Sequence, residues 1–184
     1  IISGGTPSRS HPEYWGGSIF WLSPSELVED KLNYISETKE TITDKGSQNS
    51  NAKIIPPNSV LLSCTASVGK VAINKVKLTT NQQFNSFVLR DDVCISEFVA
   101  YYLLYKKNGI KQLGGKTTFT FISKDEIADL LLPLPPIDLQ RRISSELKEK
   151  MDYVEKLRTT IEKQLEAINA LPQTILRKAF RGEL

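Results

Sequence analysis

Between residues 138 and 171 the apolar positions keep a seven-residue period: Leu147, Val154, Ile161 and Ile168 form one unbroken column. Such a column is the seam of a helix. Ile143, Leu157 and Leu171 flank it on one side and Met151 and Leu165 on the other, while Lys150, Arg158 and Gln164 interrupt those flanks. The stripe is therefore wider than a minimal coiled-coil seam. At 1.5 Å per residue the helix runs roughly 50 Å, longer than a domain of this size is usually wide. It can lie on its own domain or act as a helix-pairing rod. The prolines at 133, 135 and 136 stop whatever precedes, and Asp138 can cap the first turn, which favours the rod. Pro172 predicts a break, with a short separate helix over residues 173–180.

Upstream the pattern changes to short strand-like runs. Ile19-Phe20-Trp21-Leu22 reads as a buried strand, followed by Ile54-Ile55, residues 60–64, residues 70–73 and Phe87-Val88-Leu89. Turn formers separate them: Ser3-Gly4-Gly5-Thr6-Pro7 and Gly16-Gly17 near the start, then Pro56-Pro57-Asn58, Gly69 and Asn81-Gln82-Gln83. Ser23-Pro24-Ser25-Glu26 and Ser123-Lys124-Asp125-Glu126 carry capping-box spacing. The first predicts a short helix through Leu27 and Val28, the second a helix ending before Pro133. Ser96 is expected to cap a helix bearing Phe98, Val99, Tyr102 and Leu103, with Lys106 and Lys107 in its last turn and Gly109 past its end. Residues 43–53 read as a polar loop, and residues 119–122 as a further extended run. The class predicted is α+β: a globular β-rich domain with short helices over residues 1–136, then a coiled-coil-forming helix and a short C-terminal helix over residues 137–184.

Composition adds one distinction. Residues 53–124 carry ten basic and three acidic groups, whereas the first 52 residues are acidic and the last sixty nearly balanced. A basic middle fits an anionic partner, most often nucleic acid, although a solvated lysine-rich surface has the same composition. Apolar runs around residues 98–104 and 127–134 are too short to span a membrane, and no signal-peptide pattern opens the chain. The first residue is Ile1, as expected of a piece of a longer chain. Cys64 and Cys94 lack CxxC spacing and read as reduced, buried residues of a cytoplasmic protein. His11, the one histidine, lies in a turn-rich loop and reads as a surface residue. The stretch from Gly109 to Thr117 approaches a phosphate-binding loop with one residue too many, since Gly114 and Gly115 both precede Lys116, and with the helix before it and the strand after it. That order excludes a P-loop, and no GxGxxG or amino-methyltransferase motif is present.

Several blocks, in this order, resemble the specificity subunit of Type I restriction-modification systems. They are Ile2-Ser3-Gly4-Gly5-Thr6-Pro7-Ser8-Arg9 with Tyr14-Trp15, residues 55–63, Thr80-Asn81-Gln82-Gln83, residues 134–143, and Ala179-Phe180-Arg181-Gly182. The chain departs from the family at Leu139, where an acidic residue usually precedes the glutamine, and in having one recognition half where the family's subunit resembles two in tandem. The resemblance implies a target recognition domain over residues 1–136 and a spacer helix that pairs with a second one. It also implies a non-catalytic subunit without cofactors, whose partners are double-stranded DNA, methyltransferase subunits and, through the complex, a restriction subunit.

Lysine and arginine hold phosphates, while amides, hydroxyls and arginine match base edges in the major groove. Loops rich in both are the candidates: Ser67 and Lys70 with Lys75 and Lys77, then Asn81, Gln82 and Gln83, then Lys116, Thr117 and Thr118, with Ser8 and Arg9 in addition. The amides at 81–83 can equally bond their own turn. For pairing, the candidates are Ile143, Leu147, Met151, Val154, Leu157, Ile161, Leu165, Ile168 and Leu171, either with a second copy in a homodimer or with a second half-subunit. Two other readings stay open: the recognition fragment of a larger DNA methyltransferase, which a methyl-transfer motif upstream would mark, and a coiled-coil adaptor, whose DNA binding would be absent or insensitive to salt.

Overall fold

The computed structural model describes residues 1–65, 67–113 and 122–183. Contacts divide the chain into two compact units, Ile1–Ser144 and Ser145–Leu184. The first unit is built on two sheets. Strands β1 (Ile2–Ser3), β3 (Leu32–Ile35), β5 (Val60–Ser63), β6 (Val71–Asn74) and β8 (Phe84–Phe87) form a five-stranded sheet in the order β1-β8-β5-β6-β3. Its pairs are antiparallel except β3 with β6. A three-stranded sheet, β4-β2-β7, joins β2 (Trp15–Leu22) to β4 (Glu40–Ile42) antiparallel and to β7 (Leu78–Thr80) parallel.

The larger sheet is covered on both faces, which is why β5 and β6 are buried at every position. Val60, Leu62, Val71 and Ile73 pack on one side with Val99, Ala100 and Leu103 of α2 (Ser96–Tyr105) and Ile110 of α3 (Lys107–Leu113). Leu61, Ala72 and Phe84 pack on the other with Leu22, Leu78 and Ile55. A third cluster holds Trp21, Ile42 and Ala52 with Trp15 and Ile19 against them. The α+β class stands, and both cysteines are buried and free.

Several local expectations are corrected. Strand β2 begins at Trp15 instead of Ile19, and β8 covers residues 84–87 instead of 87–89. Of Ile54-Ile55 only a single bridge from Ile55 to Leu78 forms. Strands β3, β4 and β7 have no counterpart in the sequence pattern. Within the polar stretch 43–53 lies α1 (Asp44–Gln48), because the Thr43 hydroxyl accepts from the Gly46 N–H and caps it. The capping box at Ser23 opens one 3₁₀ turn, Pro24–Glu26, and Leu27 is already extended. The box at Ser123 opens α4 (Lys124–Ala128) as expected. Ser96 lies inside α2, with Ile95 at the capping position. Gly109 lies within α3, because Ile110 N–H bonds to Lys106 O and carries the helix past α2.

The largest correction is at the far end. Helix α5 runs from Ile137 to Arg181 through Pro172, so the residues beyond the proline continue it without forming a separate helix. Proline removes the bond to the Ile168 carbonyl, but the side chains around it are solvent-exposed, so that carbonyl keeps access to water. Among the described residues no helix is long and apolar enough to cross a membrane.

Candidate nucleic-acid interface

Paired glycines lay the N-terminal loop directly on the turn after β7. Gly5 N–H donates to Thr80 O at 2.8 Å, and Gly4 N–H to Phe84 O at 3.4 Å. A Cβ on Gly4 would sit 2.1 Å from Asn81 O, so a side chain there would push the two segments apart. In the turn, Asn81 Oδ1 accepts from Gln83 N–H at 3.0 Å, and Asn81 Nδ2 donates to Gln83 Oε1 at 2.8 Å. Asn81 is buried. These two amides therefore bond within their own turn. Gln82 is exposed, and its Oε1 accepts from Thr6 Oγ1 at 2.6 Å, which holds the side chain by its carbonyl and leaves the NH₂ to donate outward.

The same loop fixes Arg9. Its guanidinium lies 3.5 Å from the centroid of the Trp15 ring and bonds Glu40 at both ends, Nη1 to Oε1 at 2.6 Å and Nη2 to Oε2 at 2.8 Å. Bonding to Glu40 raises the arginine above its ordinary pKa, and the arginine holds the Glu40 carboxyl below its usual range. Trp15 Nε1 donates to Ser8 O at 3.3 Å and Trp21 Nε1 to Gly5 O at 3.0 Å, so both indoles tie the loop to β2. The hydroxyls of Ser8 and Ser10 meet at 2.7 Å on the exposed side. Thr6, Ser8, Arg9 and Gln82 thus share one loop-and-turn assembly.

The lysines divide by role. Lys70 Nζ donates to Pro24 O and Leu27 O at 3.1 and 2.8 Å, which spends its ammonium on backbone carbonyls. Ser67 is half-buried beside it, its carbonyl accepting from Lys70 N–H. Lys75 faces Glu97 at 3.6 Å and stands 4.8 Å from the Tyr34 ring centroid. Lys77 is exposed on the approach to β7. Lys116, Thr117 and Thr118 lie outside the described residues.

Three sets of partners have no signal in the sequence. Glu40 and Trp15 build the Arg9 clamp from 31 and 6 residues away, with no local pattern linking them. Lys107, expected as a helix-end cation, is buried with Nζ 2.6 Å from Asp30 Oδ1. Gln140 is fully buried: its Oε1 accepts from Ile95 N–H, and its Nε2 donates to Val93 O and Pro135 O. It joins the first turn of α5 to the segment before α2.

In the second unit the repeat positions Leu147, Met151, Val154, Leu157, Ile161, Leu165, Ile168 and Leu171 are all solvent-exposed, as are Ile175 and Leu176 beyond the proline, while Ile143 in the first unit is half-buried. Arg158 Nε bonds Glu162 one turn on, at 2.9 Å.

Comparison with known proteins agrees with this architecture. The chain is 34% identical over 158 residues to the Type I restriction enzyme MjaIX specificity subunit of Methanocaldococcus jannaschii, a match covering 84% of this chain and 36% of that protein. It is 30% identical over all 184 residues to a putative type I restriction enzyme MjaX specificity subunit of the same organism, covering 40% of that protein. A solved structure from work on complex assembly and conformational transition of the type I R-M system superposes with a TM-score of 0.77 at 25% identity, over all of this chain and 43% of that one. The chain thus spans less than half the length of these relatives. The family model for the Type I restriction modification DNA specificity domain matches residues 1–168, and the chain belongs to that family.

Proposed function

We propose that this chain reads double-stranded DNA as one recognition half of a type I specificity subunit. It directs methyltransferase subunits and, through the complex, a restriction subunit to a bipartite target in the cytoplasm, and it performs no chemistry itself. The family match running through both the compact unit and the repeat-bearing helix carries this reading. Neither a methyltransferase fragment nor a DNA-free adaptor draws support from relatives that are named specificity subunits. In this reading Gln82 and Arg9 offer donors to base edges, Ser8 adds a hydroxyl, and Lys77 and Lys116 with Thr117 and Thr118 supply phosphate contacts, while Lys75 stays paired with Glu97. Ser67, Asn81, Gln83 and Lys70 shape the loops that carry them.

Titrating the chain against duplex DNA at rising salt tests the proposal. Affinity should fall steeply, and Lys77→Ala with Lys116→Ala should flatten the slope by about 0.9 for every phosphate no longer neutralised. Gln82→Ala should alter sequence preference. Binding indifferent to salt overturns the reading, and an unchanged slope in the lysine variant moves the phosphate face elsewhere. With S-adenosylmethionine the chain alone should transfer no methyl group, and transfer should begin when methyltransferase subunits are added. Methylation by the chain alone contradicts a non-catalytic role.

A further inference from the structure

Helix α3 has two chemically different faces. Ile110 is buried in the main core, and Lys107, its side chain 11% exposed, points inward to Asp30 and Glu29 at 2.6 and 3.9 Å. These two anchors fix the rotation of the helix about its axis. Asn108, Lys111 and Gln112 are consequently exposed, with Asn108 and Gln112 one turn apart on the same side. Exposed Gly109 lies between them, and a Cβ there would meet open space. Just before the helix, Lys106 stands 5.8 and 5.3 Å from the ring centroids of Tyr102 and Tyr105, and Tyr105 is 77% exposed. Among the described residues neither Lys106 nor Lys111 faces a carboxylate, whereas Lys70, Lys75 and Lys107 of the same basic segment are all engaged.

A merely solvated helix face needs no particular residue types. This face combines two carboxamides at one-turn spacing, whose O and NH₂ match the N6 and N7 edge of adenine, with two cations that no described carboxylate neutralises, suited to flanking phosphates. An α-helix with its side chains is about 10 to 12 Å across, which the major groove admits, and the seven residues of α3 give about two turns to lie in it. Gly109, lacking a side chain, lets the backbone approach the groove closely.

We propose that the outward face of α3 is a second base-reading element, with Asn108 and Gln112 contacting base edges and Lys111 and Lys106 contacting phosphates. The proposal rests on the DNA-reading function above and adds a site distinct from the loop of Thr6, Arg9 and Gln82.

The test selects from a pool of randomised duplexes with the full chain, then titrates retained and unrelated duplexes at several salt concentrations. The variants are Asn108→Ala with Gln112→Ala, Lys111→Ala, and Gln82→Ala. All replace exposed side chains, and thermal melting checks that each remains folded. The double amide variant should lose discrimination at one or two base pairs by about tenfold, with affinity for unrelated duplexes and the salt slope unchanged. Lys111→Ala should weaken binding to every duplex alike and reduce the slope by about 0.9. Gln82→Ala should relax different base pairs. If the double amide variant retains the wild-type motif at wild-type enrichment while Gln82→Ala does not, the α3 proposal fails and DNA reading stands. A wild-type chain that retains no motif and binds without salt dependence overturns both.

Discussion

The Cys64 thiol lies in the main core, and burial raises its pKa to about 11, against a smaller opposing effect of Asn85 Nδ2, which donates to Sγ at 3.3 Å. At pH 8 its thiolate fraction is then on the order of one in a thousand, and the thiolate is the nucleophile. Burial also raises Cys94. Iodoacetamide at pH 8 should leave both untouched in the folded chain and modify both in denaturant; rapid labelling of the native protein would contradict this packing. The burial of the cysteines was legible from the apolar runs around them. The separate duties of Asn81, Gln82 and Gln83 were not, because three amides in a row offer the same chemistry until partners are assigned. Gln82 acquires its orientation from Thr6, 76 residues away, and Lys70 commits its ammonium to carbonyls 43 and 46 residues away.

Elements legible in the sequence were those with local causes. A capping box spans four residues and a seven-residue repeat needs only the helix that carries it, so α4 and the body of α5 could be read directly. Strands β3, β4 and β7 have three or four residues each, and their pairing partners lie far along the chain. In β3 the Asn33 amide bonds Val28 and Lys31 carbonyls at 2.9 and 3.1 Å as well as Val71 O at 3.0 Å, a long-range contact that composition does not encode. Helix α1 has a loop-like composition and forms because Thr43 caps it and Gly46 packs on the Tyr14 carbonyl. The start of α5 depends on Gln140, whose side chain serves one N–H and two carbonyls in a fully buried setting. Gln140→Leu should cost about 2 to 4 kcal/mol, since it leaves these backbone groups unpaired. Urea denaturation measures it, and a loss below about 1 kcal/mol would mean that water or a shifted backbone replaces those bonds.

At the scale of the whole molecule, the chain leaves a long apolar stripe in water. Val154 and Ile161 are 54% and 60% exposed, and the column continues past Pro172 to Ile175. Burying one such aliphatic side chain contributes roughly 1.5 to 3 kcal/mol, so the stripe favours a second helix over solvent. Because the helix is continuous through the proline, residues 173–181 extend the stripe and do not fold back over it. In a longer subunit the second helix would come from the other half; for this chain alone we expect two copies to pair antiparallel along Leu147, Met151, Val154, Leu157, Ile161, Leu165, Ile168 and Leu171, with Ile143 at the margin. A two-fold axis then relates two recognition units and predicts an interrupted, palindromic target, since half-site arrangement follows dimer symmetry. Val154→Glu with Ile161→Glu should abolish pairing, because each buried carboxylate without a partner costs several kcal/mol. Both positions are exposed in the single chain, so the variant should keep the thermal transition of the compact unit. Sedimentation at micromolar concentration decides: a monomeric wild-type chain refutes the dimer, and a dimer that survives both substitutions must be held together by another surface.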